Sequence, residues 1–140
     1  MSRIKGKDTK PEKRIRNALH AEGLRYRLHQ KDLPGKPDMV FRKYSTVVFI
    51  HGCFWHGHDC HLFKKPSTRQ DFWLGKIEGN KKRDIKAIQT LNDEGWKVAV
   101  IWECSMRGPG RQDFEKLVRD LCAFIRTGTE IVKEFQGTDT

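Results

Sequence analysis

Residues 46–61 read Thr-Val-Val-Phe-Ile-His-Gly-Cys-Phe-Trp-His-Gly-His-Asp-Cys-His, and this stretch joins an apolar run to a cluster of metal-binding residue types. The run 46–50 is too short for a helix and rich in β-branched residues, so it predicts a buried strand. The eleven residues that follow contain four of the six histidines and two of the four cysteines in the chain. Thiolate and imidazole together are typical zinc ligands. The stretch therefore predicts a strand that ends at a metal site, although histidines can also simply end a strand in solvent.

The composition of the chain points to a polyanion as its partner. Its 140 residues contain 28 Lys and Arg against 18 Asp and Glu, which gives a formal net charge of +10. Such an excess favours nucleic acid, with a membrane surface as the rival. No stretch has the apolar length of a spanning helix, and no signal-peptide pattern opens the chain. We therefore predict a cytoplasmic monomer with reduced cysteines and no membrane contact. We also predict a single domain, 1–140, with a flexible basic arm (1–8) and a poorly defined tail (129–140).

Hydrophobic periodicity predicts the element order α-β-β-β-α-α-β-α. A capping-box pattern at 9–12 opens the first helix, and Gly23 ends it. Gly75 and Gly79 predict a break between the second and third helices. The predicted strands are residues 26–29, 39–41, 46–50 and 96–102, and the later helices lie near 68–77, 80–94 and 114–125. This order predicts an α/β fold in which a three-strand meander precedes a parallel crossover.

Three cysteines supply most of a zinc site. Cys53 and Cys60 lie in the cluster, and Cys104 follows the strand at 96–102 as Cys53 follows its own strand. Three thiolates and one imidazole would close a structural site and pin the cluster to the neighbouring strand. The spacing leaves three histidines equally possible as the fourth ligand: His56, His58 and His61. The alternative is that Cys104 is an ordinary buried thiol.

A second pair of residues suits a hard cation. Asp38 opens one strand after a proline, and His51 ends the next strand. Adjacent strands of a meander bring both residues to the same edge of the sheet. A carboxylate for Mg²⁺ and an imidazole to move protons are what phosphodiester hydrolysis requires. The alternative is that Asp38 is an ordinary turn residue.

Three motifs resemble the very-short-patch repair (Vsr) endonucleases. They are Leu-Pro-Gly-Lys-Pro-Asp at 33–38, Phe-Ile-His-Gly-Cys-Phe-Trp-His at 49–56 and Trp-Glu-Cys at 102–104. The resemblance covers residues 1–107. It implies a restriction-endonuclease-like mixed β-sheet flanked by helices, with a structural zinc site. It also implies an Mg²⁺-dependent endonuclease that nicks one strand of double-stranded DNA at T:G mismatches, which arise when 5-methylcytosine is deaminated.

The same resemblance implies roles for individual residues. Asp38 resembles the Mg²⁺-binding catalytic aspartate, and the backbone carbonyl of Ile50 resembles its neutral partner ligand. His51 takes the position where related nucleases have a lysine, and His56 looks like the general acid/base. Glu12 resembles an accessory acid, although its capping-box position is a sufficient structural reason for a glutamate. The zinc ligands implied by the resemblance are Cys53, His58, Cys60 and Cys104.

The resemblance also implies a set of DNA-contacting residues. Aromatic side chains of this family wedge into the base stack beside the mismatch, and Met1 corresponds to a methionine inserted from the minor groove. The family has a basic arm upstream of this point, so either the true start lies further upstream or arm contacts are reduced here. The DNA-contacting residues are Met1, Arg3, Lys5, Lys36, Phe54, Trp55, Lys64, Lys65 and Trp73.

Two other functions fit part of these patterns. A zinc-stabilised DNA-binding module would have no use for a carboxylate aimed at the phosphate, so Asp38 favours a nuclease. A restriction-type nuclease acting on matched duplex would have no use for exposed Phe54 and Trp55. Inserting aromatic side chains costs unstacking energy, and this cost is least at a mispair.

Overall fold

The computed structural model describes residues 10–28, 30–53, 69–107 and 110–137. Its three helices are α1 (Lys10–Ala21), α2 (Gln70–Asp93) and α3 (Phe114–Thr127). Its five strands are β1 (Arg27–Leu28), β2 (Met39–Phe41), β3 (Thr46–His51), β4 (Lys97–Trp102) and β5 (Val132–Phe135). Short 3₁₀ turns follow β2 at Arg42–Tyr44 and β4 at Glu103–Ser105.

The five strands form one mixed sheet in the order β1-β2-β3-β4-β5. The β1–β2 and β2–β3 pairs are antiparallel, and the β3–β4 and β4–β5 pairs are parallel. A parallel pair needs a long crossover connection, and α2 provides it between β3 and β4. The predicted three-strand meander and the predicted parallel crossover are both confirmed.

Helices cover both faces of the sheet. α1 and α3 pack on one face through buried side chains such as Ile15 and Leu121, which share a cluster with Val48. α2 packs on the other face through Leu91, which shares a cluster with Val47. Successive side chains of a strand point to opposite faces, so β3 contributes to both clusters and is apolar almost throughout. None of the helices in the described ranges combines the length and the apolar character needed to span a membrane.

The predicted break in the middle of α2 is wrong. Residues Gln70–Asp93 form one helix of 24 residues that runs through Gly75 and Gly79. A glycine costs about 1 kcal/mol in a helix, but it keeps its N–H and so does not interrupt the hydrogen-bond ladder as proline does. Packing of Ile77, Ala87 and Leu91 against the rest of the protein stabilises the uninterrupted helix.

The prediction of a poorly defined tail is wrong for Val132–Phe135, which forms β5 beside β4. This strand is held by its neighbours more than by its own sequence. The carbonyl of Ile131 accepts hydrogen bonds from Val98 N (2.9 Å) and Asn92 Nδ2 (3.0 Å). Lys97 Nζ donates to the carbonyls of Phe124 (2.7 Å) and Gly128 (3.2 Å), which anchors the end of α3 to β4. Such partners are invisible in a local sequence pattern.

Candidate active site and metal centre

A tight loop delivers Asp38 to the start of β2. Gly35 has φ +72°, and a Cβ at this position would lie 2.9 Å from Cβ of Ala87 and 3.1 Å from the Phe49 ring. Only glycine fits both the backbone angle and the space, so the loop presses closely on α2 and β3. Asp38 N then donates to the carbonyl of Val48 at 3.0 Å. These contacts fix the direction in which the Asp38 side chain leaves the sheet.

The Asp38 side chain is half-buried beside the end of β3. Its Oδ2 accepts a hydrogen bond from Ile50 N at 2.7 Å. Burial raises the pKa of Asp38 to about 7, although the Ile50 N–H lowers this pKa. The negative charge of Glu12 and a hydrogen bond with the Glu12 side chain raise the pKa of Asp38 further. The aspartate therefore lies in an environment that opposes its charge unless a cation is present.

Glu12 comes from the first turn of α1, on a different part of the fold. Glu12 is only 2% exposed, and its Oε2 lies 3.9 Å from Nη1 of Arg16. A glutamate that served only as a helix cap would be expected at the surface, whereas this one meets Asp38 in the interior. Two carboxylates in contact, Glu12 buried and Asp38 half-buried, are unfavourable alone and form a good ligand pair for a hard divalent cation.

His51 follows Ile50 at the end of β3 and is 6% exposed. Its ring contacts Phe49, with ring centroids 5.4 Å apart, and meets Trp102 edge-on at 5.2 Å. Phe49 and Trp102 belong to the cluster under α2, so the imidazole lies on that face of the sheet. The structure thus brings Glu12, Asp38 and Ile50 together and places His51 directly beside them along the chain.

Two of the predicted zinc ligands lie in one buried cluster. Cys53 and Cys104 are 0% and 1% exposed and both belong to the apolar cluster under α2. His51 and Trp102 are partners in the parallel β3–β4 register. Cys53 follows His51 by two residues, and Cys104 follows Trp102 by two residues, so the cysteines lie just beyond adjacent strand ends. Gly137 N donates to Cys104 Sγ at 3.3 Å. An N–H donor to sulfur is an arrangement that stabilises a thiolate.

Comparisons with known proteins show which sequences this chain resembles. The model of the family described as DNA mismatch endonuclease Vsr matches residues 1–62. The DNA mismatch endonuclease Vsr of Escherichia coli is 46% identical over 125 residues, covering 89% of this chain and 80% of the relative. The nicking enzyme V.XorIIP of Xanthomonas oryzae is 49% identical over 110 residues, covering 79% and 81%. The nicking enzyme V.NmeAIP of Neisseria meningitidis is 47% identical over 123 residues, covering 86% and 88%.

The chain belongs to the Vsr family of DNA mismatch endonucleases. The predicted resemblance is therefore confirmed. The protein is a DNA endonuclease of the nicking type, and its partner is DNA. In the part of the chain that the structure describes, the five-stranded mixed sheet with three helices fits the restriction-endonuclease-like fold that the resemblance implied.

Several predicted site residues of this Vsr-family enzyme lie outside the described residues. They are Met1, Arg3, Lys5, Phe54, Trp55, His56, His58, Cys60, Lys64 and Lys65. Within residues 10–28, 30–53, 69–107 and 110–137, no group of three or more His, Cys, Asp and Glu side chains is placed to hold a metal ion. Two of the four predicted zinc ligands, His58 and Cys60, belong to the segment 54–68, which lies beyond these ranges.

Two predicted DNA-contacting residues of the Vsr-family enzyme are described. Lys36 is exposed, has φ 51° and lies two residues before Asp38. Trp73 is half-buried at the start of α2, where its ring meets Phe72 edge-on at 5.3 Å. Phe72 is 51% exposed, and the Arg69 guanidinium lies 4.7 Å from its ring centroid. Phe72 is not among the predicted site residues; with Trp73 it forms an adjacent aromatic pair at the start of α2.

Sequence reasoning also missed a role for Glu103. Its Oε1 accepts a hydrogen bond from Cys53 N at 3.4 Å, and its Oε2 lies 2.6 Å from Nη1 of Arg107. Glu103 therefore ties the turn after β3 to the turn after β4. Its position inside the Trp-Glu-Cys motif was the only signal in the sequence.

Proposed function

We propose that this Vsr-family enzyme acts as a monomer and uses Mg²⁺ to nick one strand of DNA at T:G mismatches produced by deamination of 5-methylcytosine. The observation that carries the catalytic part is the contact of the half-buried Asp38 with the buried Glu12 beside Ile50. The family membership supports the mismatch part, because the Escherichia coli relative is named a DNA mismatch endonuclease.

The donor set at the end of β3 fits Mg²⁺. The N–H and C=O of one residue in an extended strand face the same edge of that strand. Because Ile50 N faces the Asp38 carboxylate, the Ile50 carbonyl faces the same edge. Asp38 and Glu12 would hold Mg²⁺ through carboxylate oxygens and Ile50 through its carbonyl oxygen, and hard oxygen donors of this kind are the ligands that Mg²⁺ prefers.

Each chemical role in phosphodiester hydrolysis can then be assigned to a residue of this site. Asp38 would bind the metal, and Mg²⁺ held there would supply activation of a water molecule and neutralisation of charge on the phosphate. Glu12 orients water at the same site, and Lys36 holds the neighbouring DNA backbone. His56 exchanges protons with the attacking water or the leaving oxygen, and His51 acts beside Ile50 at the position where related nucleases have a lysine.

We further propose that Cys53, His58, Cys60 and Cys104 hold a structural zinc ion. Support comes from the two buried cysteines at adjacent strand ends and from the Gly137 N–H at Cys104 Sγ. Four such ligands close a tetrahedral site and leave no position for catalysis. The zinc site would fasten the segment that carries His56 to the end of β4.

A nicking assay tests the proposed function directly. Two labelled duplexes are prepared that differ only in one T:G or T:A pair, and each is incubated with the enzyme and either Mg²⁺ or EDTA. We expect one strand of the T:G duplex to be cut with Mg²⁺, and no cut in the other three reactions. Equal cutting of the T:A duplex would identify a restriction-type nuclease, and binding without any cut would identify a DNA-binding module.

The proposed aromatic wedge gives a separate prediction. Phe54→Ala combined with Trp55→Ala should weaken binding to the T:G duplex by at least tenfold, since stacking on a base is worth about 1–3 kcal/mol. The preference for T:G over T:A duplex should fall as well, because the wedge is least costly at a mispair. The measurement is a binding titration with both duplexes.

A melting curve separates a wedge from a core role for Phe54 and Trp55. Ile131→Ala is the matched control, because Ile131 is an apolar side chain with 64% exposure just before β5. The double variant should melt at the wild-type temperature, as Ile131→Ala should. Unfolding of the double variant would show that the two aromatic residues belong to the core, and an unchanged T:G preference would rule out the wedge.

A further inference from the structure

The last strand, β5, contributes a carboxylate to the face of the sheet that carries His51. Glu134 is the register partner of Val100 in β4, so the two side chains share the α2 face. Oε1 of Glu134 accepts a hydrogen bond from Nε1 of Trp102 at 2.8 Å. The indole is therefore held from the β5 side by a charge-assisted hydrogen bond.

Trp102 contacts His51 on its other side. The two residues are partners in the β3–β4 register, and the rings meet edge-on at an interplanar angle of 72°. Trp102 is only 8% exposed, so its ring occupies the space between Glu134 and His51. Three side chains from three adjacent strands thus form a row that ends at the proposed active site.

Side-chain packing does not fill all of the space beside this row. A cavity of about 150 Å³ lies beside the three side chains, between the sheet and α2. Its other lining residues are Lys81, Asp84, Ile85, Ile88 and Val100. The space is partly open to solvent, since Ile85 is 57% exposed, and it is large enough to hold several water molecules. The hydrogen bond to Glu134 selects the orientation of Trp102 that supports His51.

We infer that Glu134 is a positioning residue for DNA cleavage, acting through Trp102 to hold the His51 imidazole beside the scissile phosphate. This inference rests on the proposed catalytic role of His51. It gives β5 a part in the reaction, although no residue of β5 reaches the Asp38 site. Because Glu134 acts on the geometry of the chemical step, its loss should lower the rate of cleavage and leave DNA affinity unchanged.

The test measures single-turnover nicking of a T:G duplex with enzyme in excess. Glu134→Ala and Trp102→Phe should each slow cleavage about 10- to 100-fold, since small displacements of a reacting group have effects of this size. The concentration of enzyme at half-maximal rate should not change. Glu134→Gln should restore most of the rate, because its amide oxygen still accepts the indole N–H. Glu130→Ala removes an exposed carboxylate just before β5 and should behave as the wild type.

His51→Ala and the double variant with Glu134→Ala separate this inference from the proposed function. We expect His51→Ala to slow cleavage and Glu134→Ala to add little in that background, because both act on one step. A wild-type cleavage rate for His51→Ala would show that His51 has no catalytic role, and it would overturn the inference about Glu134 as well. A slow His51→Ala enzyme with a normal Glu134→Ala enzyme would overturn the inference alone. A Glu134→Gln enzyme as slow as Glu134→Ala, with a lowered melting temperature, would show that Glu134 only stabilises β5.

Discussion

Asp38→Asn should reduce nicking of a T:G duplex by several orders of magnitude while the variant still binds that duplex. The neutral amide binds Mg²⁺ much more weakly than a carboxylate does, and the loss concerns the transition state and not the DNA contacts. Binding should be equal or slightly tighter, since removal of a negative charge reduces repulsion from the phosphates. The measurements are single-turnover cleavage with Mg²⁺ and a binding titration in EDTA.

The same variant should be more stable than the wild type in EDTA. Burial and the contact with Glu12 raise the folded-state pKa of Asp38 from 3.8 to about 7, so the ionised carboxylate disfavours the folded state. The gain in the free energy of unfolding from Asp38→Asn should be absent below about pH 4 and complete above about pH 7. A rise in melting temperature of about 5 °C or more is expected, since each kcal/mol is worth roughly 2–4 °C in a chain of this size.

Asp32→Asn is the matched control, because Asp32 is exposed in the loop six residues before Asp38. It should cut at the wild-type rate and melt at the wild-type temperature. Wild-type cleavage by Asp38→Asn would exclude Asp38 from the metal site. A melting temperature that falls at pH 8 would show that the charged carboxylate stabilises the metal-free fold.

Cys104→Ala should remove zinc from the protein and leave it largely unfolded or insoluble. Structural zinc can contribute about 10 kcal/mol or more to folding, which is comparable to the whole stability of a small domain. Loss of one thiolate opens the proposed site at the end of β4, where Cys104 is 1% exposed. Metal content per chain, soluble yield and the melting curve measure the effect, and the wild type should contain one zinc per chain.

Cys122→Ala provides the comparison within the same chain. Cys122 is also buried, at 4% exposure, but it lies in α3 among apolar side chains. Replacement of Cys122 should lower the stability of the protein only through lost packing, and it should leave the zinc content unchanged. Recovery of Cys104→Ala as a folded, metal-free protein with a wild-type melting temperature would exclude the structural zinc site.

The sequence by itself determined the parts of this protein whose cause is local. The β-branched run at 46–50 predicted β3, because two buried faces require a continuously apolar strand. Apolar side chains recur at the 3.6-residue period of a helix in both α1 and α3, so the sequence predicted these two helices. Cys53 and Cys104 were predicted neighbours because each follows a buried strand, and the register of β3 and β4 places them at adjacent strand ends.

Other features were decided only by tertiary structure. Glu12 was predicted as an accessory acid only through the family resemblance, since its place in the capping box already explained a glutamate. Its contact with Asp38 is a long-range contact between α1 and the start of β2. The glycines in α2 predicted a break that packing overrode, and β5 exists because β4 offers it hydrogen-bond partners. Glu134 therefore had no signal in the sequence as a partner of Trp102. Long-range contacts of this kind bring together residues more than thirty positions apart, and no periodicity or local motif encodes them.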